Sequence, residues 1–339
     1  MTDTTTPEAV DDRAVPEVRK PSWVRARPVG VAVWIIVIGF GIWALVRVLG
    51  WERGFPLIQL IAFTPYVAGA SVLVPVLALL LRRWPAAAVA GLVAIALLAC
   101  VVPRVTADGD RLPSGPELRV LSANMLVGGA DPAAIVALVR AHRVDLLALQ
   151  EFTPQAQEAL ESAGLTDLLP NRSAYPIEGV GGSALYSRLP LHDDGLRTTP
   201  WGFDQAQATV TIPGAAPFAV ESVHTCAPSD ASRSSCWTGS FANEPPATVD
   251  GPITVLLGDF NATLDHVTLR RLLATGYRDA ADVAGDGLNP TWPFNKILPP
   301  VTLDHVLADR RVGVRQVAVY PLPRSDHRAV FAELVLPPD

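Results

Sequence analysis

Apolar positions divide the chain into two parts with different rhythms. Val29 to Leu49 is nearly uncharged, Phe55 to Leu81 is a longer apolar run, and Pro85 to Val102 is a third. A bilayer core of about 30 Å takes roughly 17–25 helical residues to cross. No polar face at helical period interrupts these runs, as it would in helices of a soluble core. The pattern predicts a membrane domain at residues 29–102 with three transmembrane helices. Three successive spans, the first too long for a signal-peptide core, do not fit a cleaved leader. Residues 1–28 are polar and charged without periodicity, the pattern of a disordered tail.

Residues 103–117 form a linker rich in Gly, Pro and Asp. Beyond it, over residues 118–337, the apolar runs become short. "LRVLSANML", "VDLLALQE", "GGSALYSRLPL", "FAVESVHT", "ITVLLGDFN", "LDHVLAD" and "RQVAVYPL" predict strands. "DPAAIVALVRAHR" predicts a helix, with Asp131 as N-cap and Pro132 at its first position. "DHVTLRRLLATG" predicts another. About ten short strands among few helices favour an α/β domain of two packed sheets with helices outside. No repeat of solenoid period is present.

Charge gives the membrane part a direction. Arg19, Lys20, Arg25 and Arg27 precede the first span, and Arg82 with Arg83 separates the second from the third. The first connection offers mainly Arg53, offset by Glu52. Positive residues mark the cytoplasmic side, which makes this a multi-pass protein of the cell membrane. Its tail is then cytoplasmic and everything after about Pro103 is extracytoplasmic. From Glu117 onward there are 25 acidic residues against 16 basic, a net of −9; residues 1–116 carry 11 basic against 8 acidic. Such an acidic domain is a poor general collector of nucleic acid, whose binding rests on cationic side chains. It suits a site that gathers a divalent cation, although acidity also serves solubility. Cys226 and Cys236 bracket a short loop in the exported part, where a disulfide is expected; Cys100 reads as a small apolar residue of the third span.

Chemistry-bearing residues repeat one design, an apolar strand followed by a reactive side chain. They are Asn124, Glu151, His224, Asp259 with Asn261, Asp304, and Asp326 with His327. In "LLGDFNATLD" the i, i+2 spacing of Asp259 and Asn261 sends both side chains to one side of a strand end. Each residue alone is equally a turn or cap residue.

Together, "LSANM", "ALQE", "ESVHT", "GDFN", "LDHV" and "SDHRAV", in that order, resemble the endonuclease/exonuclease/phosphatase superfamily, the DNase I-like fold. "TWP" at Thr291 to Pro293 is similar to bacterial members that carry membrane helices. The resemblance implies a four-layered αββα sandwich, a divalent metal and cleavage of phosphate esters. It implies Mg²⁺, with Mn²⁺ as an alternative, at Glu151, supported by Asn124 and Asp326. Asp259 would orient or deprotonate the attacking water, with Asn261 positioning it. His327 would be held by Asp304, and His224 would donate to the phosphate. His266 and His305 match no role and read as structural. The expected partners are the bilayer and a phosphate ester, a lipid head group or small molecule rather than nucleic acid. No protein partner is inferable. Two alternatives remain: an exported nuclease using Arg172, Arg188, Arg233 and Arg324 as a basic groove, and a membrane-anchored binding module without activity.

Overall fold

The structure is a computed structural model that describes residues 27–109, 112–199 and 201–339. The expected cytoplasmic tail, with Arg19, Lys20 and Arg25, falls almost wholly outside the described residues. The chain enters through helix α1 (Arg27–Leu49) and later runs through α5 (Trp84–Val101), which a 3-10 turn extends to Val105. These two helices are long and apolar enough to cross a membrane. Only 17% and 33% of their apolar windows are buried, unlike the core helices of a soluble protein.

The second expected span is corrected by the structure. Phe55 to Leu81 is not one helix but three: α2 (Leu57–Ile61), α3 (Thr64–Ser71) and α4 (Leu73–Leu80). Pro56 precedes α2 and Pro65 opens α3. A proline lacks the N–H that a helix interior needs but suits a helix start, so the run is cut where they stand. The apolar stretch Thr64–Leu80 is correspondingly shorter than the two long helices. Arg47, near the end of α1, and Arg104, just beyond α5, both reach Asp265. The two long helices therefore run in the same direction, and the chain returns between them through α3 and α4.

The remainder is the expected sandwich. Its strands are β1 (Glu117–Asn124), β2 (Leu146–Gln150), β3 (Asn171–Tyr175), β4 (Ser183–Ser187), β5 (Leu191–Thr198) and β6 (Asp204–Val210), then β7 (Phe218–His224), β8 (Thr254–Asp259), β9 (Tyr277–Asp279), β10 (Asp304–Asp309), β11 (Gly313–Pro321) and β12 (Arg328–Val335). They form two six-stranded sheets, ordered β11-β12-β1-β2-β4-β3 and β5-β6-β7-β8-β10-β9. Side chains alternate across each strand. Val120, Leu146 and Ala148 meet Ala208, Val220, Val255 and Leu257 between the sheets. Leu121, Leu147 and Leu149 face the other way, toward α6 (Pro132–Ala141), α7 (Pro154–Ser162) and α8 (Leu165–Leu168). The second sheet is covered by α9 (Ser234–Asn243) and α10 (Val267–Ala274), which pack Trp237, Leu269 and Leu272 onto Val223 and Leu256. The short α11 (Ala280–Ala284) adds Ala280 and Ala281 to the inter-sheet core. The expected cap forms, with Asp131 accepting from Ala133 N at 3.0 Å, and the second expected helix, α10, starts after His266.

Candidate active site

Topology gathers the candidate residues at one end of the sandwich. The parallel neighbours β1 and β2 finish there at Asn124 and Gln150, one residue before Glu151. The parallel neighbours β7 and β8 finish there with His224 opposite Asp259. The antiparallel β10 starts there, with Asp304 opposite Asp259, and β12 starts just after His327. Gly258 allows this close approach: a Cβ on it would lie 1.9 Å from the Val223 carbonyl oxygen.

The side chains converge as the strands do. Asn124 Nδ2 donates to Glu151 Oε1 and to Asp259 Oδ2, both at 3.1 Å, while its oxygen accepts from Leu126 N at 2.9 Å. It thus bridges two carboxylates through its amide hydrogens. The other oxygen of Glu151 accepts from Val127 N at 2.7 Å. Asn261 N donates to Asp259 Oδ1 at 2.8 Å, and its amide donates to the Thr225 carbonyl at 2.9 Å and to Asp259 Oδ2 at 3.3 Å. Asp259 is therefore oriented from both sides.

His327 Nδ1 lies 2.9 Å from Asp304 Oδ2, the pairing the resemblance implied. Its Nε2 stands 3.7 Å from Asp259 Oδ2. His224 Nε2 stands 3.9 Å from both Glu151 Oε1 and Asp259 Oδ2, with Phe203 edge-on to its ring at 5.0 Å. Burial pushes the Asp259 carboxyl up to about 7, aided by the Asp304 and Glu151 charges and opposed by His327. Burial pulls the His327 imidazole down, but the Asp304 and Asp259 charges outweigh it and push it up to about 10. His327 is thus a cation at neutral pH. His224, equally buried, is pulled down by desolvation and is neutral there.

Asp326 lies at the rim. Its Oδ2 accepts from Lys296 Nζ at 2.6 Å and from Trp292 Nε1 at 3.2 Å, and its carboxyl is held below the usual range, the Lys296 hydrogen bond overcoming burial. Trp292 belongs to the "TWP" motif; nothing in the sequence pointed to Lys296. Ser325, beside Asp326, donates to the Asn124 carbonyl at 2.9 Å and accepts from His327 N at 3.0 Å, which ties β12 to β1.

His266 and His305 support the loop after Asp259. His266 Nδ1 accepts from Thr263 N at 2.8 Å, so its Nε2 donates to the Ile58 carbonyl at 2.8 Å. His305 faces Asp279 Oδ2 at 2.7 Å and the Ala262 carbonyl at 2.8 Å. Both partners are acceptors, so both ring nitrogens carry protons. Burial opposes that charge, and Asp279 raises the imidazole despite it.

Glu151, His224, Asp259, Asn261, His266, Trp292, Asp326 and His327 line one cavity of about 440 Å³, which also takes in Val180, Arg233, Leu298 and Val301. Cys226 and Cys236 are bonded, with Cα atoms 5.8 Å apart, and close the loop that carries Pro228 and Ser229 to its rim. The arginines considered for a basic groove are scattered: Arg172 pairs with Glu161, Arg188 with Asp145, and Arg233 lies 3.9 Å from Asp230. Arg233 lines the cavity, and Arg324, before Ser325, has a positive φ of 65°.

The donor set fits a hard divalent cation. Glu151, Asp259, Asp304 and Asp326 place four carboxylates against the His327 cation and Lys296. Among the described residues, Asp304 Oδ1 and Asp326 Oδ1 are buried with no hydrogen-bond partner. Asp259, Asp304 and His327 present ligand atoms within 4.8 Å of one another. A protonated His327 offers no lone pair, however, so the carboxylates are the better donors.

Known proteins share this frame. A solved endonuclease/exonuclease/phosphatase from Beutenbergia cavernae DSM 12333 superimposes with a TM-score of 0.51 at 20% identity, over 65% of this chain and 72% of that one. A humanized D. rerio TDP2 superimposes with a TM-score of 0.51 at 16% identity, over 64% of this chain and 98% of that one. At such identity the likeness is one of fold. A 100-residue stretch is 31% identical to the formate-dependent phosphoribosylglycinamide formyltransferase of Burkholderia cenocepacia (strain HI2424), over 28% of this chain and 23% of that protein. The chain thus spans less than a quarter of the curated relatives it matches. Residues 121–327, more than half of the chain and every candidate residue, match the Endonuclease/Exonuclease/phosphatase family. With the sandwich and the strand-end constellation in agreement, this chain belongs to the endonuclease/exonuclease/phosphatase family.

Proposed function

We propose that the protein is a membrane-anchored, Mg²⁺-dependent hydrolase of phosphate esters, with Mn²⁺ as an alternative ion and a catalytic domain outside the cytoplasm. One observation carries the reading: Asp259, with a carboxyl near neutrality, faces the protonated His327 at 3.7 Å inside the cavity. A base works best when its pKa lies near the working pH. Asp259 Oδ2 would take the proton of the attacking water, while Asn124 and Asn261 fix its orientation. His327, its proton held by Asp304, would donate Nε2–H to a non-bridging phosphate oxygen as charge develops. His224 would donate from the opposite side. Glu151 would hold the ion, with Asp326 near it. When bound, the ion polarises the phosphoryl group and stabilises the leaving oxygen.

Sidedness is supported by the arginines at the helix ends and by the disulfide, which persists in oxidising compartments. The acidic domain and the helices beside the cavity favour a lipid head group or small ester over nucleic acid. The test uses the full chain in detergent, with Mg²⁺, against a phospholipid panel, a generic phosphodiester and plasmid DNA. Chelator-sensitive turnover of lipid or diester, with plasmid left intact, is expected. Cleavage of plasmid alone would replace the reading with that of a nuclease, and no turnover of any of the three would end it. For sidedness, a reporter active outside the cytoplasm should work when fused after Asp339 and stay silent after Arg83. The reverse result refutes the topology.

A further inference from the structure

Part of the cavity wall does not come from the sandwich. Ile58, Gln59, Ala62 and Phe63, from α2 and the turn after it, line the same cavity as Glu151, His224, Asp259 and His327. The segment is firmly seated. Gln59 Nε2 donates to the carbonyls of Pro228 at 3.0 Å and Ser229 at 3.1 Å, in the disulfide-closed loop. The Ile58 carbonyl accepts from His266, and the Tyr66 hydroxyl donates to the Pro300 carbonyl at 2.7 Å. Behind it, Arg47 and Arg104 grip the buried Asp265 at 2.5 Å and 2.6 Å, four residues after Asn261. Two rim loops and the catalytic loop thus hold α2 and the start of α3 in place.

The chemistry of this wall contrasts with the floor. Carboxylates and imidazoles gather at the strand ends, whereas α2 brings no charged side chain to the cavity. Ala62 clusters with Val301 and Leu303, and Phe63 and Trp292 pack against them. A phosphate on the floor would place a substituent along this apolar side. We propose that α2 and the turn after it form the substrate-selecting wall of the site, Phe63 and Ala62 receiving an apolar substituent of the phosphoester. The phosphate end of this inference rests on the hydrolase reading; the apolar end is testable by binding alone.

Calorimetry of the full chain in nanodiscs with Mg²⁺ should compare methylphosphonate with butylphosphonate. Each buried methylene strengthens binding about fourfold, so the butyl compound should bind about tenfold tighter or more. Phe63→Ala should cut that advantage to about threefold while leaving methylphosphonate affinity unchanged, and Phe63→Leu should keep it. Equal affinity of the two compounds for the wild type overturns the proposal. So does a Phe63→Ala protein whose butyl-to-methyl affinity ratio stays that of the wild type. A dodecyl homologue carried in the bilayer separates two sources of the substituent: further gain marks a membrane-resident ester, and a plateau marks a soluble one. If the butyl advantage holds but no alkyl phosphoester is turned over, the hydrolase reading fails and the wall stands.

Discussion

The sandwich buries its large apolar side chains, whereas the helical block leaves many of its own exposed. Between the sheets Leu118, Val120, Leu146 and Phe218 are wholly buried, and charge is concentrated at the strand ends. In the block Ile35, Ile38, Leu73, Leu80 and Leu92 stand exposed, while Arg47, Glu52, Thr64, Ser71 and Arg104 are buried. Exposed apolar surface on this scale marks a face made for lipid or a partner. One region is finished in water and the other is not. Two kinds of contact join them: Ile58 and Ala62 pack on apolar residues of the sandwich, while Arg47, Arg104 and Glu52 bond to the loop and helix that follow Asn261. The charged contacts make the seam specific.

Four sets of substitutions probe that contrast. The largest effect is expected at the charged end of the sandwich. Asp259→Asn keeps the shape and removes the base, so turnover should fall about 10²–10⁴-fold at any Mg²⁺ concentration. Glu151→Gln should fail differently, recovering part of its activity at high Mg²⁺. Near-normal turnover of the Asp259 variant on a verified substrate would remove the base assignment.

The seam comes next. Asp265→Ala leaves Arg47 and Arg104 buried without their partner, and breaking a buried pair on one side costs about 3–5 kcal/mol. Thermal unfolding in detergent should show it. Replacing all three as Arg47→Met, Asp265→Leu and Arg104→Met should recover most of the loss, since apolar residues of similar size often substitute for a buried ion group. A single variant as stable as the wild type would show that the charges at the seam are idle.

The disulfide is worth less. Cys226→Ser with Cys236→Ser should cost about 2–3 kcal/mol on the chain-entropy account. Denaturant midpoints with and without reductant would measure it, and unchanged midpoints would contradict it.

The last effect is a change of slope with pH rather than a loss at fixed pH. Burial first, and then the Glu221 charge, pushes Glu244 up from 4.5 to about 8. The folded protein then keeps a proton that the unfolded chain releases, so stability falls as pH rises from about 4.5 to about 8. Glu244→Gln preserves the contact with Gln205, 2.8 Å away, and should flatten that fall. Parallel stability curves for the two proteins would show that Glu244 does not titrate in this window.

How much of this was readable in the residues depends on what each signal reports. Asp259, Asn261 and His327 were legible because a reactive residue at the end of an apolar run survives without knowledge of the fold. The caps of α6 were legible because they are local. The pairing of Asp304 with His327 depends on β10 and β12 meeting across two sheets, and the family resemblance supplied it. Strands β5 and β6 went unread because their charged and small residues, such as "HDDG", carry little apolar signal. The second span was misjudged for a simpler reason. Hydropathy reports that Leu57 to Phe63 avoids water; it does not distinguish lipid from a protein surface as the place of refuge. Lys296 had no signal at all, since a lone lysine in a loop is ordinary.

Arg104 gives the molecule a limit on modularity. It lies in what reads as a linker, the natural place to cut or splice such a chain, yet its guanidinium is committed to Asp265. An enzyme joined to its anchor by a neutral tether can be moved from one anchor to another without notice. Here an exchanged helical block, or a fragment begun after residue 117, arrives with Asp265 deprived of both cations and α2 absent from the cavity lining. Inheritance of such a chain is therefore expected to be whole: helices and sandwich travel together, or the fused gene must supply two arginines in their places.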